Sequence, residues 1–189
     1  MGFIEDGGGS GNLTHVSDGN RLKTEALAIS LQHYISHSKK SAYQVSNTIN
    51  IAASKQPIML VQNGSIDKDI SVTYIRIHSA GAASTNENAY FTLEAGGQWA
   101  SGGSDLTPTN MNIASSNAAV GTFKGGTGIV TTGTFIEIDR NYTANTMQIY
   151  NKEAALVIPR GQSLAIYHTG STAAGIAYCR VSFVVSSLI

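Results

Sequence analysis

The clearest alternation of apolar and polar positions lies in residues 154–187. Leu156, Val157 and Ile158 form a short apolar run stopped by Pro159-Arg160-Gly161. Proline presets the first turn position and glycine supplies positive φ, so a tight turn is expected there. Leu164, Ile166 and His168 then alternate with Ala165 and Tyr167. After the turn-prone Thr169-Gly170-Ser171, Tyr178, Arg180, Ser182 and Val184 alternate with Cys179, Val181, Phe183 and Val185. Period two is the mark of a strand. Such segments, spaced about ten residues apart with turn residues between them, indicate an antiparallel sandwich or barrel.

The same pattern recurs upstream. Leu27, Ile29, Leu31, His33 and Ile35 alternate with polar or small residues and read as a strand, although Leu27, Leu31 and Ile35 also fit a helix. Tyr43 with Val45, and Ile49 with Ile51, suggest two short extended pieces. Residues 57–61, PIMLV, predict a strand buried on both faces. Asn63-Gly64 and a polar connection follow, then a β-branched strand over 70–78. Residues 80–88 read as a small-residue loop, and 89–93 as a strand ended by Gly96-Gly97. Trp99, the sole tryptophan, is expected to cap one end of the core or to stand as an exposed aromatic contact. Residues 100–117 form a polar stretch around Pro108, Asn110 and Asn112; a loop this long is usually functional or packed on a partner. Residues 120–123 and 129–130 flank Gly125-Gly126 as a hairpin. Strands over 135–139 and 147–150 complete an all-β, antiparallel β-sandwich.

Residues 1–20 read as an extended N-terminal arm, and 21–189 as the sandwich. Phe3 and Ile4 are apolar, Glu5 and Asp6 acidic, and residues 7–11 a flexible Gly-rich spacer. Such a segment has little hydrophobic surface to order itself. A neighbouring subunit is therefore expected to hold it, with Phe3, Ile4, Glu5, Asp6, Leu13 and Val16 at the subunit or capsid interface. The alternative is an arm folded back on its own domain.

Charge narrows the function. The 189 residues carry 12 basic and 12 acidic side chains, a net charge of zero, and only 13% are charged. Nucleic-acid binding demands clustered Lys and Arg, so it is not expected; nor is a polybasic membrane contact. A neutral surface suits a protein held in a fixed assembly. No apolar run approaches a membrane span, and the N-terminus lacks the basic and apolar segments of a signal peptide. The single cysteine, Cys179, sits mid-strand and reads as a buried small apolar residue.

Catalytic chemistry finds little purchase. Glu137 and Asp139, two apart on one strand, would share a solvated face rather than flank a cleft. Asp67 and Asp69 lack the oxygen spacing of a calcium loop. His33 and His37 have helical zinc spacing, but Tyr34 replaces the glutamate of that motif. The Gly125–Gly128 stretch lacks the Lys and Ser/Thr of a phosphate loop. No enzyme activity, cofactor or metal is expected.

Four stretches together resemble small virion structural proteins of tailed bacteriophages: SDGNRLKTEAL at residues 17–27, PIMLVQN with ISVTYIRI, LTPTNMNIASSNA, and LVIPRGQSLAIYHTG with RVSFVVSS. The resemblance implies a jelly-roll-like sandwich of the capsid decoration or cement type, located in the virion and assembled in the host cytoplasm. It implies no catalytic residues. The partners expected are the major capsid protein and copies of the chain itself, as a homotrimer. A receptor- or glycan-binding module of a tail or head fibre is the alternative; there Trp99, Tyr90 or Tyr142 would stack on sugar rings.

Overall fold

The computed structural model describes residues 3–5, 13–15, 36, 39–81, 89–142, 148–170 and 175–187. The chain divides into two compact units, Met1–Ser30 and Leu31–Ile189. In the first, β1 (Phe3–Glu5) and β2 (Leu13–His15) form an antiparallel pair, with Ile4 opposite Thr14. The expected arm thus contains a small hairpin. The alternating segment 27–35 lies outside the described residues.

The second unit is an antiparallel β-sandwich. Its long strands are β3 (Ala42–Asn50), β4 (Gln56–Gln62), β5 (Lys68–Ala80), β6 (Tyr90–Ser101), β10 (Val130–Tyr142), β11 (Gln148–Ile158), β12 (Ser163–Thr169) and β13 (Ile176–Ser187). Three short strands, β7 (Ser104–Asp105), β8 (Thr109–Asn110) and β9 (Thr122–Gly125), lie in the β6–β10 connection. One sheet is ordered β10-β6-β12-β4-β9-β7 and the other β11-β5-β13-β3-β8. Counting only the eight long strands in chain order, the sheets read 5-4-7-2 and 6-3-8-1. That is the jelly-roll connectivity.

Burial follows the alternation. In β5, Ile70, Val72, Ile75 and Ile77 are inaccessible, while Ser71, Tyr74 and Arg76 face out. Ile58, Met59, Leu60 and Val61 of β4 are all inaccessible, so this strand is covered on both faces as its sequence predicts. Its outer cover is a second apolar cluster: Leu60, Ile129 and Ala165 lie beneath Trp99, Phe135 and Tyr167.

Several local expectations give way to tertiary pairing. Tyr43 to Ile49 lie on one continuous strand, not two pieces. Gly96-Gly97 does not end β6; the strand runs through it, with a register irregularity against β10. Gly97 has φ +46°, and a Cβ there would lie 2.1 Å from the Phe135 ring, so glycine lets that ring lie across the strand. The hairpin expected around Gly125-Gly126 is absent. β9 pairs with β4 and β7, whereas β10 pairs with β6. The turn at Pro159 does form, closed by the Gln162 N–H donating to the Pro159 carbonyl at 3.1 Å, with Gly161 at φ +73°. It carries the chain from one sheet to the other.

Candidate interaction surfaces

The two flanks of the sandwich differ. At the β3/β4 flank, the β6–β10 connection adds β8 to β3 and β9 with β7 to β4, so both sheet edges are extended and covered. The side chains singled out in this connection do the fastening. The Asn110 amide donates to the Lys40 carbonyl at 2.8 Å and to the Asn117 carbonyl at 3.1 Å. The Asn112 amide donates to the Ser36 carbonyl at 3.2 Å, and its backbone N–H to Asn110 Oδ1. The long polar loop is therefore packed on its own sandwich, where it pins the segment leading into β3.

At the opposite flank the described residues add no such cover. Among the described residues β10 and β11 are edge strands, each paired on one side only. Between them runs a cleft of about 290 Å³ lined by Ile136, Ile138, Val157, Pro159 and Leu164, among others. Ile136 lies opposite Ala95, yet 66% of its surface is exposed. Val157 and Ile138 are exposed as well. Natural sandwiches blunt long edges with charge, proline or covering loops; among the described residues a covering connection is added at the β3/β4 flank, whereas β10 and β11 carry charged residues such as Glu137, Arg140 and Lys152.

Glu137 and Asp139 do not share a face. A register shift falls between them, which sets Glu137 opposite Glu94 and Asp139 opposite Leu93 of the interior cluster. Arg140 donates to both Glu137 carboxylate oxygens, at 2.8 and 2.7 Å. That contact holds the Glu137 carboxyl below its ordinary pKa and Arg140 above its own. Lys55 pairs with Glu94, and Lys124 with Asp105 at 2.6 Å. The outer face of the six-stranded sheet is thereby neutralised pair by pair.

Trp99 belongs to the cluster on this outer face rather than to an end of the main core. It is half-buried. Its indole N–H donates to the Gly102 carbonyl at 2.9 Å, and the Lys124 ammonium stands 4.4 Å from the ring centroid. Phe3–Glu5 and Leu13 lie in the hairpin strands; Asp6 and Val16 fall outside the described residues. Tyr142 is exposed, with Tyr90 edge-on to it at 5.7 Å.

Among the described residues no group of three or more His, Cys, Asp or Glu is arranged to hold a metal. Cys179 is inaccessible, and burial pushes its thiol pKa up, which leaves it unreactive in the fold. His168 is a core histidine. It is inaccessible, edge-on to Phe91 at 5.2 Å, and neither ring nitrogen has a hydrogen-bond partner. Desolvation lowers its pKa. Below about pH 6.5 the unfolded chain binds a proton that the folded chain refuses, so stability is lost as pH falls from there toward the folded pKa. Thermal unfolding should show Tm dropping by several degrees across that window, and His168→Leu should flatten the change. An equal acid drop in the variant would place its cause elsewhere.

No family model matches the chain, and neither a curated protein nor a solved structure does.

Proposed function

We propose that the chain is a non-enzymatic virion structural protein: a capsid cement or decoration protein of a tailed bacteriophage. It bridges neighbouring subunits of the major capsid protein as a homotrimer. Its work is mechanical, burying surface between shell subunits so that the head resists internal pressure. The observation that carries this reading is the unequal treatment of the two flanks. A connection closes one flank, while the other presents edge strands and an apolar cleft, as a body made to be joined does. The jelly-roll frame and the pairwise neutralised outer face agree with a fixed place in an assembly. A standard interface buries about 1,600 Å² in total, and the N-terminal arm adds to what the flank offers.

Truncation of residues 1–16 is expected to leave a folded sandwich that no longer binds purified capsid shells in a sedimentation assay. Undiminished binding would remove the arm from the mechanism. Density for the chain on purified particles, sought on the head surface, tests the placement itself.

A further inference from the structure

Charge is unevenly divided along this neutral chain. Residues 1–20 contain Glu5, Asp6 and Asp18 and no Lys or Arg, a net charge of −3; residues 21–189 hold all 12 basic residues and the other nine acids, a net charge of +3. Glu5 and Asp6 are the only adjacent acidic pair in the sequence.

The sandwich has a matching feature on the outward face of its five-stranded sheet. Arg76 of β5 and Arg180 of β13 are directly opposite each other. Like charges so placed repel, and they weaken a sheet unless something compensates. Arg180 Nε donates to the Tyr178 hydroxyl at 2.8 Å, and both guanidinium groups lie near the Tyr178 ring, at 5.8 and 6.0 Å. The Nε of Arg76 is buried with no hydrogen-bond partner. Among the described residues, Lys55, Lys124 and Arg140 each have a carboxylate, whereas Arg76 and Arg180 have none. Two planar donors held side by side on an aromatic ring form a site for carboxylates. Next in the same row stands Ile149 of β11, opposite Arg76 and half-exposed. The row therefore reads apolar, cationic, cationic. On β1, Phe3 and Glu5 share one face, an apolar group beside an acidic one, and Asp6 follows in sequence.

We infer that Arg76 and Arg180 receive the Glu5–Asp6 carboxylates of a second copy of this chain. Phe3, on the same face of β1 as Glu5, then lies against Ile149. A hairpin of two three-residue strands is marginal alone, and this face supplies the packing it needs. An arm of one copy on the sheet face of the next is a head-to-tail contact. Contacts of that kind form a ring where the rotation from copy to copy closes. The inference deepens the proposed function, on which its trimeric form rests.

A charge-swap cycle on the full chain tests it, read as sedimentation mass of the isolated protein. Wild type should be an oligomer that loosens as salt rises. Arg76→Glu with Arg180→Glu should give monomer, and so should Glu5→Arg with Asp6→Arg. Co-expression of the two swapped chains under different tags should restore hetero-oligomers, because both junctions between unlike chains are then complementary. Arg180→Gln should also shift mass toward monomer while leaving Tm of the monomer unchanged or higher, since it relieves a repulsion; a fall in monomer Tm would assign Arg180 a structural role instead. A monomeric wild type, unchanged masses in the swapped variants, or swapped chains that never co-purify would each overturn the inference. Shell binding is scored separately: a cycle that holds without shell binding defeats the cement reading and leaves this contact standing.

Discussion

Phe183→Ala is expected to cost about 3–5 kcal/mol, the range for deleting a fully buried aromatic ring. Typical domains are stable by only about 5–15 kcal/mol in all. Phe183 is inaccessible and sits between two other rings: Tyr43 at 5.6 Å and Phe123 at 5.3 Å, both nearly parallel to it. Tyr43 is its neighbour on β3 in the same sheet, while Phe123 belongs to β9 in the other. The stack therefore clasps the two sheets at the closed flank. Removing the middle ring leaves a void lined by the outer two and loosens the seat of β9. Urea unfolding should show a lower midpoint with an unchanged slope, and limited proteolysis should cut sooner within residues 111–121. Ile113→Ala is the contrast: Ile113 is 96% exposed, so its loss should stay within about 0.5 kcal/mol. A Phe183→Ala protein within about 1 kcal/mol of wild type would mean that the stack does not organise the core.

The strands were legible wherever local pattern decides. The PIMLV run, the alternation of β12 and β13, the Pro159–Gly161 turn and the buried Cys179 all follow from side-chain period or turn chemistry, which neighbours in sequence fix. The all-β sandwich followed from these. Sheet order did not follow in the same way. Residues 122–125 and 130 onward look like hairpin partners, yet β9 and β10 sit at opposite ends of the four long strands of their sheet, each claimed by a strand distant in sequence. Gly96-Gly97 looks like a stop, but a glycine pair inside a strand also serves a bulge and a ring laid across it.

The interaction surfaces were legible only in part. The acidic arm could be read directly. Its expected anchors Phe3, Ile4, Glu5, Asp6, Leu13 and Val16 are apolar or acidic residues in a segment poor in both elsewhere. Arg76 and Arg180 lie 104 positions apart, and only the β5–β13 register puts them face to face. Ile136 and Ile138 read as ordinary strand residues; their exposure follows from β10 having no neighbour beyond it among the described residues. Trp99 illustrates the same limit, since the outer cluster it joins draws on β4, β6, β10 and β12.

Asn63→Asp is expected to destabilise the fold by about 3 kcal/mol at neutral pH, because two carbonyls, one buried and one part-buried, lose their donor and a carboxylate replaces it. Asn63 is inaccessible. Its amide donates to the carbonyls of Lys68, at 2.8 Å, and Ile158, at 2.9 Å, while its Oδ1 accepts the Ser65 N–H at 2.9 Å. Its backbone N–H donates to the Gln162 carbonyl and its own carbonyl accepts the Gly161 N–H. One side chain and its peptide groups thus join the β4–β5 connection to the β11–β12 turn, the two places where the chain changes sheets at this end. The Asp substitution keeps the shape and reverses only the donor. Burial and two facing carbonyls should raise the folded pKa of the new carboxyl above its unfolded value near 4. A raised folded pKa means the loss grows as pH climbs through it and shrinks below the unfolded value, where the protonated carboxyl again donates to one carbonyl. Asn63→Ala should cost a similar amount with no such pH dependence. The comparison is made by urea unfolding of each variant against wild type at the same pH, which cancels the acid sensitivity of His168. Parallel losses for the two variants from pH 4 to pH 8 would show that the amide's donor bonds do not hold these crossings together.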